Sequence, residues 1–230
     1  MRLVFLTGAG MSQESGLKTF RDSDGLWENY NVEQVASIEG WYADPQLMTR
    51  FYNERRIQLA SVKPNLGHVV IGRLESSHDV TVITQNVDDL HERAGSSDII
   101  HLHGELTKVK SNRDDALVKD IGYTTMEYGE KSPDGGLWRP DIVWFGEAVP
   151  MIPKAAKMVS EAELLVIVGT SMNVYPAAGL VDYVSEHCKI VFIDPYPNIS
   201  NRSNLQIIEA KATEGLALLE KELNICTNTF

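Results

Sequence analysis

Cysteine is scarce in this chain. There are two in 230 residues, Cys188 and Cys226, and no CxxC pair. That argues against a thiolate zinc site within one chain, and two distant cysteines read as free thiols in a reducing compartment. Basic charge is also short, with 21 Lys and Arg against 32 Asp and Glu, a net charge of −11. No Lys/Arg block stands out. A general nucleic-acid or anionic-membrane binder is therefore disfavoured, since such affinity is built on basic patches, although a local basic site for an anionic ligand remains open. Long apolar runs are missing too. The opening run Leu3–Leu6 is too short for a signal peptide or a span and leads at once into Gly-rich sequence. No other segment approaches the ~20 apolar residues of a spanning helix. A soluble cytoplasmic protein is the expectation. Internal repeats and low-complexity tracts are absent as well.

What is present is an ordinary globular composition, 43% hydrophobic, sufficient for a sizeable core. At roughly 150 residues per domain the length suits one large domain, or one domain plus a small insert. Five short runs rich in Val, Ile and Leu read as buried strands: Leu3–Leu6, Val80–Ile83, Ile99–Leu102, Leu164–Val168 and Ile190–Ile193. They do not alternate with polar residues, which suits parallel strands covered on both faces. Each ends in small or polar residues: Thr7-Gly8-Ala9-Gly10, Thr84-Gln85-Asn86-Val87-Asp88, His103-Gly104, Gly169-Thr170-Ser171 and Asp194-Pro195. In an open parallel α/β sheet ligands bind along that carboxyl edge, so a cleft is expected there. Helices are expected from an Asp44-Pro45 start to about Leu59, and over Met151–Glu163, Ala177–Glu186 and Thr213–Leu223. Residues 41–66 and the polar stretch 105–138, with its Ser132-Pro133-Asp134-Gly135-Gly136 turn, interrupt the α/β rhythm and are expected to form a small second domain.

Several motifs carry candidate chemistry. Gly8-Ala9-Gly10-Met11-Ser12 follows the first strand directly. Glycines there let the backbone approach a pyrophosphate, and exposed amides at the next helix start would bind its charge. The pattern is GxGxS and not the full GxGxxG, so a tight strand-to-helix turn is the competing reading. Phe20 and Arg21, in the loop that follows, suit a nicotinamide cover and a phosphate ligand, or a surface loop with one buried Phe. Gln85, Asn86 and Asp88 suit ribose hydroxyls and a carboxamide, or a polar helix cap. His101 and His103 share a face at a strand end, where a histidine is well placed as a general base near neutral pH. A metal is disfavoured because no third Cys, His or carboxylate accompanies them at ligand spacing. His68, His78, His91 and His187 read as structural.

Taken in order, Gly8-Ala9-Gly10-x-Ser12-x-x-Ser15-Gly16-x-x-x-Phe20-Arg21, Thr84-Gln85-Asn86-x-Asp88, His103-Gly104 and Gly169-Thr170-Ser171-x-x-Val174-x-Pro176-Ala177 resemble the motif set of the sirtuins over nearly the whole chain. The resemblance implies an α/β, Rossmann-like parallel sheet with helices on both faces, from residues 1–40, 67–104 and 139–230. It implies a small domain made of a helical module, 41–66, and a zinc-free remnant of the zinc module, 105–138. It also implies NAD, consumed as a co-substrate, and acyl-lysine proteins or peptides as partners. Gly8, Ala9, Gly10, Ser12, Phe20 and Arg21 would hold its nicotinamide and phosphate region. Gln85, Asn86 and Asp88 would hold the nicotinamide ribose and carboxamide, Asn86 and Asp88 acting with His103 as the catalytic group. Gly169, Thr170 and Ser171 would bind phosphate and ribose, and Asp194 would sit near the adenosine ribose. Val143, Phe145 and Gly146 belong to Val143-Trp144-Phe145-Gly146-Glu147, which looks like the segment that pairs with an extended acyl-lysine peptide. The implied reaction transfers the acyl oxygen to the ribose carbon as nicotinamide leaves. His103 then takes a ribose hydroxyl proton, and the products are free lysine, nicotinamide and O-acyl-ADP-ribose.

The chain departs from the family where four zinc cysteines are usual. Ser111 stands at the first of those positions and 105–138 contains none, so that insert is expected to rely on ordinary packing or to be mobile. Asp194 replaces a frequent Asn, and its carboxylate would repel a 2′-phosphate, favouring NAD over NADP. Tyr52 and Arg55 lie at i,i+3 on the expected helix after Asp44. A solvated surface pair is the plain reading of such residues, but Phe51-Tyr52-Asn53-Glu54-Arg55-Arg56 resembles the Tyr-x-x-Arg pattern of the class III branch. That likeness implies a preference for succinyl- and malonyl-lysine, with deacetylation as a weaker companion. Two rival readings stay open: a mono-ADP-ribosyltransferase, and a non-catalytic NAD- or ADP-ribose-binding module.

Overall fold

A computed structural model describes residues 1–17, 26–27 and 30–227, with only the backbone given for Leu26, Trp27 and residues 225–227. The main sheet has six strands: β1 (Arg2–Thr7), β4 (Asp79–Thr84), β5 (Ile99–His101), β9 (Leu164–Val168), β10 (Lys189–Ile193) and β11 (Leu205–Ile208). They run in the order β11-β10-β9-β1-β4-β5, and every pairing is parallel. All five expected strands are present. The sixth, β11, is a half-exposed edge strand, and so lacks the continuous apolar run of the others.

Alternate residues of each strand feed opposite faces, as the strand period requires. On one face Leu3, Phe5, Val82, Val166 and Val191 pack against Val70, Ile71 and Leu74 of α5 (Leu66–Leu74) and Leu216, Leu219 and Leu223 of α8 (Ala212–Thr227). On the other, Val4, Leu6, Ile83, Leu165 and Phe192 meet Ala155 and Val159 of α7 (Ile152–Ser160), with Leu180 and Val181 of a 3₁₀ helix (Ala177–Tyr183). The expected helices are thus found with shifted ends: the stretch after Ala177 is a short 3₁₀ turn, and α8 runs further than expected.

Beside the sheet's carboxyl edge lie short helices α1 (Ala9–Gln13), α2 (Val32–Val35), α3 (Ile38–Ala43) and α6 (Leu90–Arg93), and the long α4 (Pro45–Ser61). Asp44 caps α4, its side chain accepting from the Leu47 amide, with Pro45 in the first turn, as that dipeptide predicts. A two-stranded ribbon pairs β2 (Leu26–Trp27) with β3 (Tyr30–Asn31). The polar insert is an ordered antiparallel sheet of β6 (Gly104–Ser111), β7 (Val118–Asp120) and β8 (Trp138–Ile142). It therefore reaches a few residues past 138. Its strands and α4 share a core of Phe51, Tyr52, Leu59, Leu106, Ile142 and Trp144. Among the described residues no helix is long and apolar enough to cross a membrane. Cys188 is a buried free thiol; the side chain of Cys226 lies outside the description.

Candidate active site

A cavity of about 790 Å³ opens where the sheet meets the small modules. It takes in residues following five strands: Gly8 after β1, Gln85 after β4, His103 after β5, Gly169 after β9 and Pro195 after β10. Chain connectivity leaves β1 toward β4 and β5 on one side and toward β9, β10 and β11 on the other. The gap between β1 and β9 is therefore the topological switch point, where such folds bind ligands.

Two segments come very close there. The Gly10 amide donates to the Gly169 carbonyl (2.8 Å) and the Gly8 amide to Val168 (3.1 Å). A Cβ on Gly169, whose φ is +65°, would lie 2.3 Å from the Met11 nitrogen, so only glycine is accommodated. The Gly8 and Gly10 amides are thus engaged by backbone, and the two glycine segments lie against each other.

Behind these segments lies a polar network. Asn86 is 8% exposed and Asp88 7%. The Asn86 side-chain nitrogen donates to the Gly8 carbonyl and to Ser12 Oγ (both 3.1 Å). Ser12 Oγ donates to Asp88 Oδ2 (2.8 Å), and the Leu90 amide to Asp88 Oδ1 (3.2 Å). Burial pushes the Asp88 carboxyl up to about 6, against the pull of those two donors and of His101. Gln85 reaches across the switch point, its side chain donating to Thr170 Oγ1 (3.2 Å).

His103 Nδ1 lies 3.0 Å from the Gln85 carbonyl. A carbonyl only accepts, so Nδ1 carries the proton and Nε2 holds the free lone pair. Burial keeps the ring below the usual imidazole range, with the Gln85 bond opposing it. A neutral ring presenting one basic nitrogen to a cavity is the arrangement a general base requires. The next residue, Gly104, has φ +81°, and a Cβ there would fall 2.0 Å from the Asp141 carbonyl. Glycine at that position lets β6 turn away directly after the histidine.

Of the residues expected at the site, Gly8, Ala9, Gly10, Ser12, Gln85, Asn86, Asp88, His103, Val143, Phe145, Gly146, Gly169, Thr170, Ser171, Tyr52 and Arg55 all line this one cavity. Phe20 and Arg21 lie outside the described residues. Asp194 is 2% exposed and accepts from the Tyr196 amide (2.9 Å); the lining residues there are Pro195 and Tyr196. Sequence reasoning missed Tyr196 and Gln58 at the cavity wall; nothing local to either separates them from surface residues.

Two expectations need correction. The plain reading of Tyr52 as half of a solvated surface pair does not hold. Tyr52 is 1% exposed, donates to the Val35 carbonyl (2.9 Å) and accepts from Trp144 Nε1 (2.8 Å). Its donor is therefore already engaged, and what it offers the cavity is ring surface. The claim that no carboxylate accompanies the strand-end histidines also fails: Glu92 and Glu105 come together with His101, their ligand atoms within 4.8 Å of one another.

The sirtuins that the sequence resembles usually carry a structural zinc in the module that the small sheet occupies. Ser111 Oγ, at the position of the first usual cysteine, and Ser132 Oγ both donate to the Asp134 carboxylate (2.7 and 2.5 Å), which also accepts the Gly136 amide (3.0 Å). Two hydroxyls closed on one carboxylate are not the Cys and His donors of structural zinc, and the set does not fit that ion.

A glycine-lined switch point, a buried carboxamide–carboxylate network and a neutral histidine at the cavity suit a dinucleotide-using α/β enzyme. Comparison with known proteins narrows it: the Sir2 family pattern matches residues 8–176. The chain is 53% identical over 227 residues to an NAD-dependent protein deacylase of Bacteroides thetaiotaomicron, covering 96% of this chain and 97% of that protein. A Helicobacter pylori NAD-dependent protein deacylase is 49% identical over 226 residues, 96% of each. Among solved structures, a Sir2 homologue in complex with ADP-ribose superimposes with a TM-score of 0.89 at 34% identity, over 100% of this chain and 94% of that one. A Sir2 homologue–NAD complex gives 0.85 at 34% identity, over 98% and 90%. This chain belongs to the Sir2 family.

Proposed function

We propose that this protein is a sirtuin that removes acidic acyl groups, succinyl and malonyl, from protein lysines, with acetyl as a poorer substrate. The underlying activity is NAD-dependent protein deacylation, which its relatives carry by name over nearly their whole length. NAD would supply the ribose carbon that accepts the acyl oxygen as nicotinamide leaves.

The residues divide the work. Asn86 and Asp88, braced by Ser12, would orient the ribose hydroxyls; Gln85 would face the carboxamide. His103 Nε2 would accept the proton of a ribose hydroxyl, with Nδ1 fixed on the Gln85 carbonyl. Gly8, Ala9, Gly10, Gly169, Thr170 and Ser171 would bind the pyrophosphate and sugar, joined by Phe20 and Arg21. Asp194, buried behind Pro195, would act at the adenosine end by fixing the loop that carries Tyr196. Val143, Phe145 and Gly146 would flank the peptide, and the half-exposed Phe145 ring stands at the cavity mouth.

One observation carries the acyl preference. Arg55 lines the same cavity as His103, on the face of α4 that also presents Tyr52. Its guanidinium lies over the Phe51 ring, 5.3 Å from the centroid, which steadies a cation in apolar surroundings. A guanidinium there would bind a carboxylate terminus in a way that an acetyl group cannot use. The experiment is a panel of acetyl-, succinyl-, malonyl- and glutaryl-lysine peptides with NAD. Arg55→Met should lose desuccinylation by roughly a hundredfold, as for a charge-assisted pair worth about 3 kcal/mol, while deacetylation changes only a few-fold. Equal loss on both substrates would refute the assignment.

A further inference from the structure

We infer that His101, paired with Glu92, is a positioning residue for the reaction: the dyad clamps the carbonyl of Asn86 and so sets the Gln85–Asp88 loop. The inference rests on the deacylase reading above.

The end of β5 sends two imidazoles back over the loop that follows β4. Thr84 pairs with His101 across the sheet, so residues beyond Thr84 run beside residues beyond His101. Leu102 turns into the core, while His101 and His103 turn the other way, toward successive carbonyls. His103 Nδ1 is 3.0 Å from the Gln85 carbonyl and His101 Nδ1 is 3.2 Å from the Asn86 carbonyl. The loop's two leading residues are thus each held from behind by one ring.

The rings differ at their second nitrogen. That of His103 looks into the cavity as a base. That of His101 lies 2.7 Å from Glu92 Oε1, on α6. A carbonyl on one side and a carboxylate on the other both demand an N–H, so His101 completes both bonds only as the imidazolium. The local charges agree. Glu92 and Glu105 face it, and Lys108 sits 2.6 Å from Glu105. With His101 protonated the group of four is neutral, which is why it reads as a closed ion-pair network and not as a cation site. The other titratable neighbours are Asp88, which the His101 charge helps to hold ionised, and the buried His91. Burial lowers the His101 pKa, but the Glu92 bond and the charges of Glu92 and Glu105 outweigh it and raise the ring above 6.5.

A neutral imidazole has a single N–H. As pH rises through the His101 pKa, the ring keeps Asn86 or Glu92 but not both, and the loop loosens. His103 needs to be neutral and Asp88 ionised, so those groups shape the acid limb of the rate profile; His101 shapes the basic limb.

The test measures kcat and KM for NAD from about pH 6 to pH 10 on the preferred acyl-peptide. His101→Leu removes the clamp and should raise KM for NAD about fivefold, one hydrogen bond's worth, with kcat within about twofold. His101→Asn keeps an N–H near the Nδ1 position but cannot titrate; KM should return to within about twofold of wild type and the basic limb should disappear. Glu92→Gln keeps an acceptor without charge and should move the basic limb about one pH unit lower. Superimposable profiles for wild type and Glu92→Gln, or equal KM values for His101→Leu and His101→Asn, would overturn the proposal. Failure of the wild type to consume NAD with any acyl-peptide would instead sink the deacylase reading. The dyad is then still read directly by NMR titration of the His101 ring, which should lie above 6.5 in wild type and fall in Glu92→Gln; a wild-type value below that overturns it.

Discussion

Asp88 shows how a single residue can trade stability for function. Its carboxyl is buried, and burial raises it to about 6 from an ordinary 3.8. A carboxyl whose folded pKa exceeds its unfolded one contributes stability below about pH 4 and forfeits it as pH climbs through about 6. Above pH 6 the folded protein therefore carries an ionised, desolvated group at a cost on the order of 2–3 kcal/mol. Asp88→Asn keeps the Ser12 bond and removes the charge. It should raise the Tm by about 5 °C at pH 8 but by much less near pH 5, as calorimetry would read. Deacylation should fall by more than about tenfold, because the carboxylate proposed to orient the ribose hydroxyls is lost. A Tm gain of the same size at both pH values would show that the burial penalty is not electrostatic. Tyr52 illustrates the opposite case, a polar group whose chemistry is already satisfied by Val35 and Trp144. Neither partner could be found from sequence, since they lie 17 and 92 residues away.

Among elements, the small sheet β6–β8 is closed by hydrogen bonds that converge on one carboxylate. Ser132 and Ser111 hydroxyls, then the Gly136 amide, hold the Asp134 carboxyl down at about 2. A depressed carboxyl contributes its stability above the unfolded pKa near 4, and that contribution drains away as pH falls toward 2. Asp134→Ala should therefore speed amide exchange through residues 104–142 at neutral pH, measured by mass spectrometry, and the wild-type sheet should show the same loosening as acid approaches pH 2. A chelator should leave exchange and Tm unchanged; a chelator-sensitive sheet would mean that a metal holds it after all. The sequence signalled this insert through its Ser132–Gly136 turn but not its strands. β7 is three exposed residues and β6 mixes buried with half-buried positions, so neither shows a clean period. The central strands of the main sheet were legible because burial on both faces writes itself as unbroken Val, Ile and Leu. The site was legible for a related reason: its residues sit directly after those strands, so finding the strands located the edge. The Glu92–His101 pairing was not, because it joins a helix to a strand end that only the folded loop brings together.

At the scale of the whole molecule, the cavity has two walls of different origin: the sheet edge, and the lobe made of α4 with the small sheet. The second wall depends on how α4 is tied to β6 and its neighbour. Arg56, fully buried, donates through Nε to the Leu106 carbonyl (2.7 Å) and through Nη1 to Asn53 Oδ1 (2.6 Å). Asn53 in turn exchanges two bonds with the Met126 backbone, Nδ2 to the carbonyl at 2.9 Å and Oδ1 from the amide at 3.0 Å. Burial alone lowers the Arg56 guanidinium to about 10, and no carboxylate pairs with it among the described contacts. Its neutral oxygen partners are thus what make its burial tolerable, and Asn53 is the shared one. Asn53→Ala breaks three hydrogen bonds and strands one arm of a buried cation, which should destabilise by about 2–4 kcal/mol and lower the Tm by roughly 5–15 °C. The glycine switch point and the Asn86–Asp88 network belong to the other wall. NAD affinity should therefore stay within about twofold of wild type at a temperature where the variant is folded, while KM for the acyl-peptide rises several-fold as the Arg55 face of α4 loses its anchor. Isothermal titration with ADP-ribose and peptide kinetics separate the two. Parallel losses of ADP-ribose and peptide binding would mean that the walls form one cooperative body and that α4 supports both ends of the cavity.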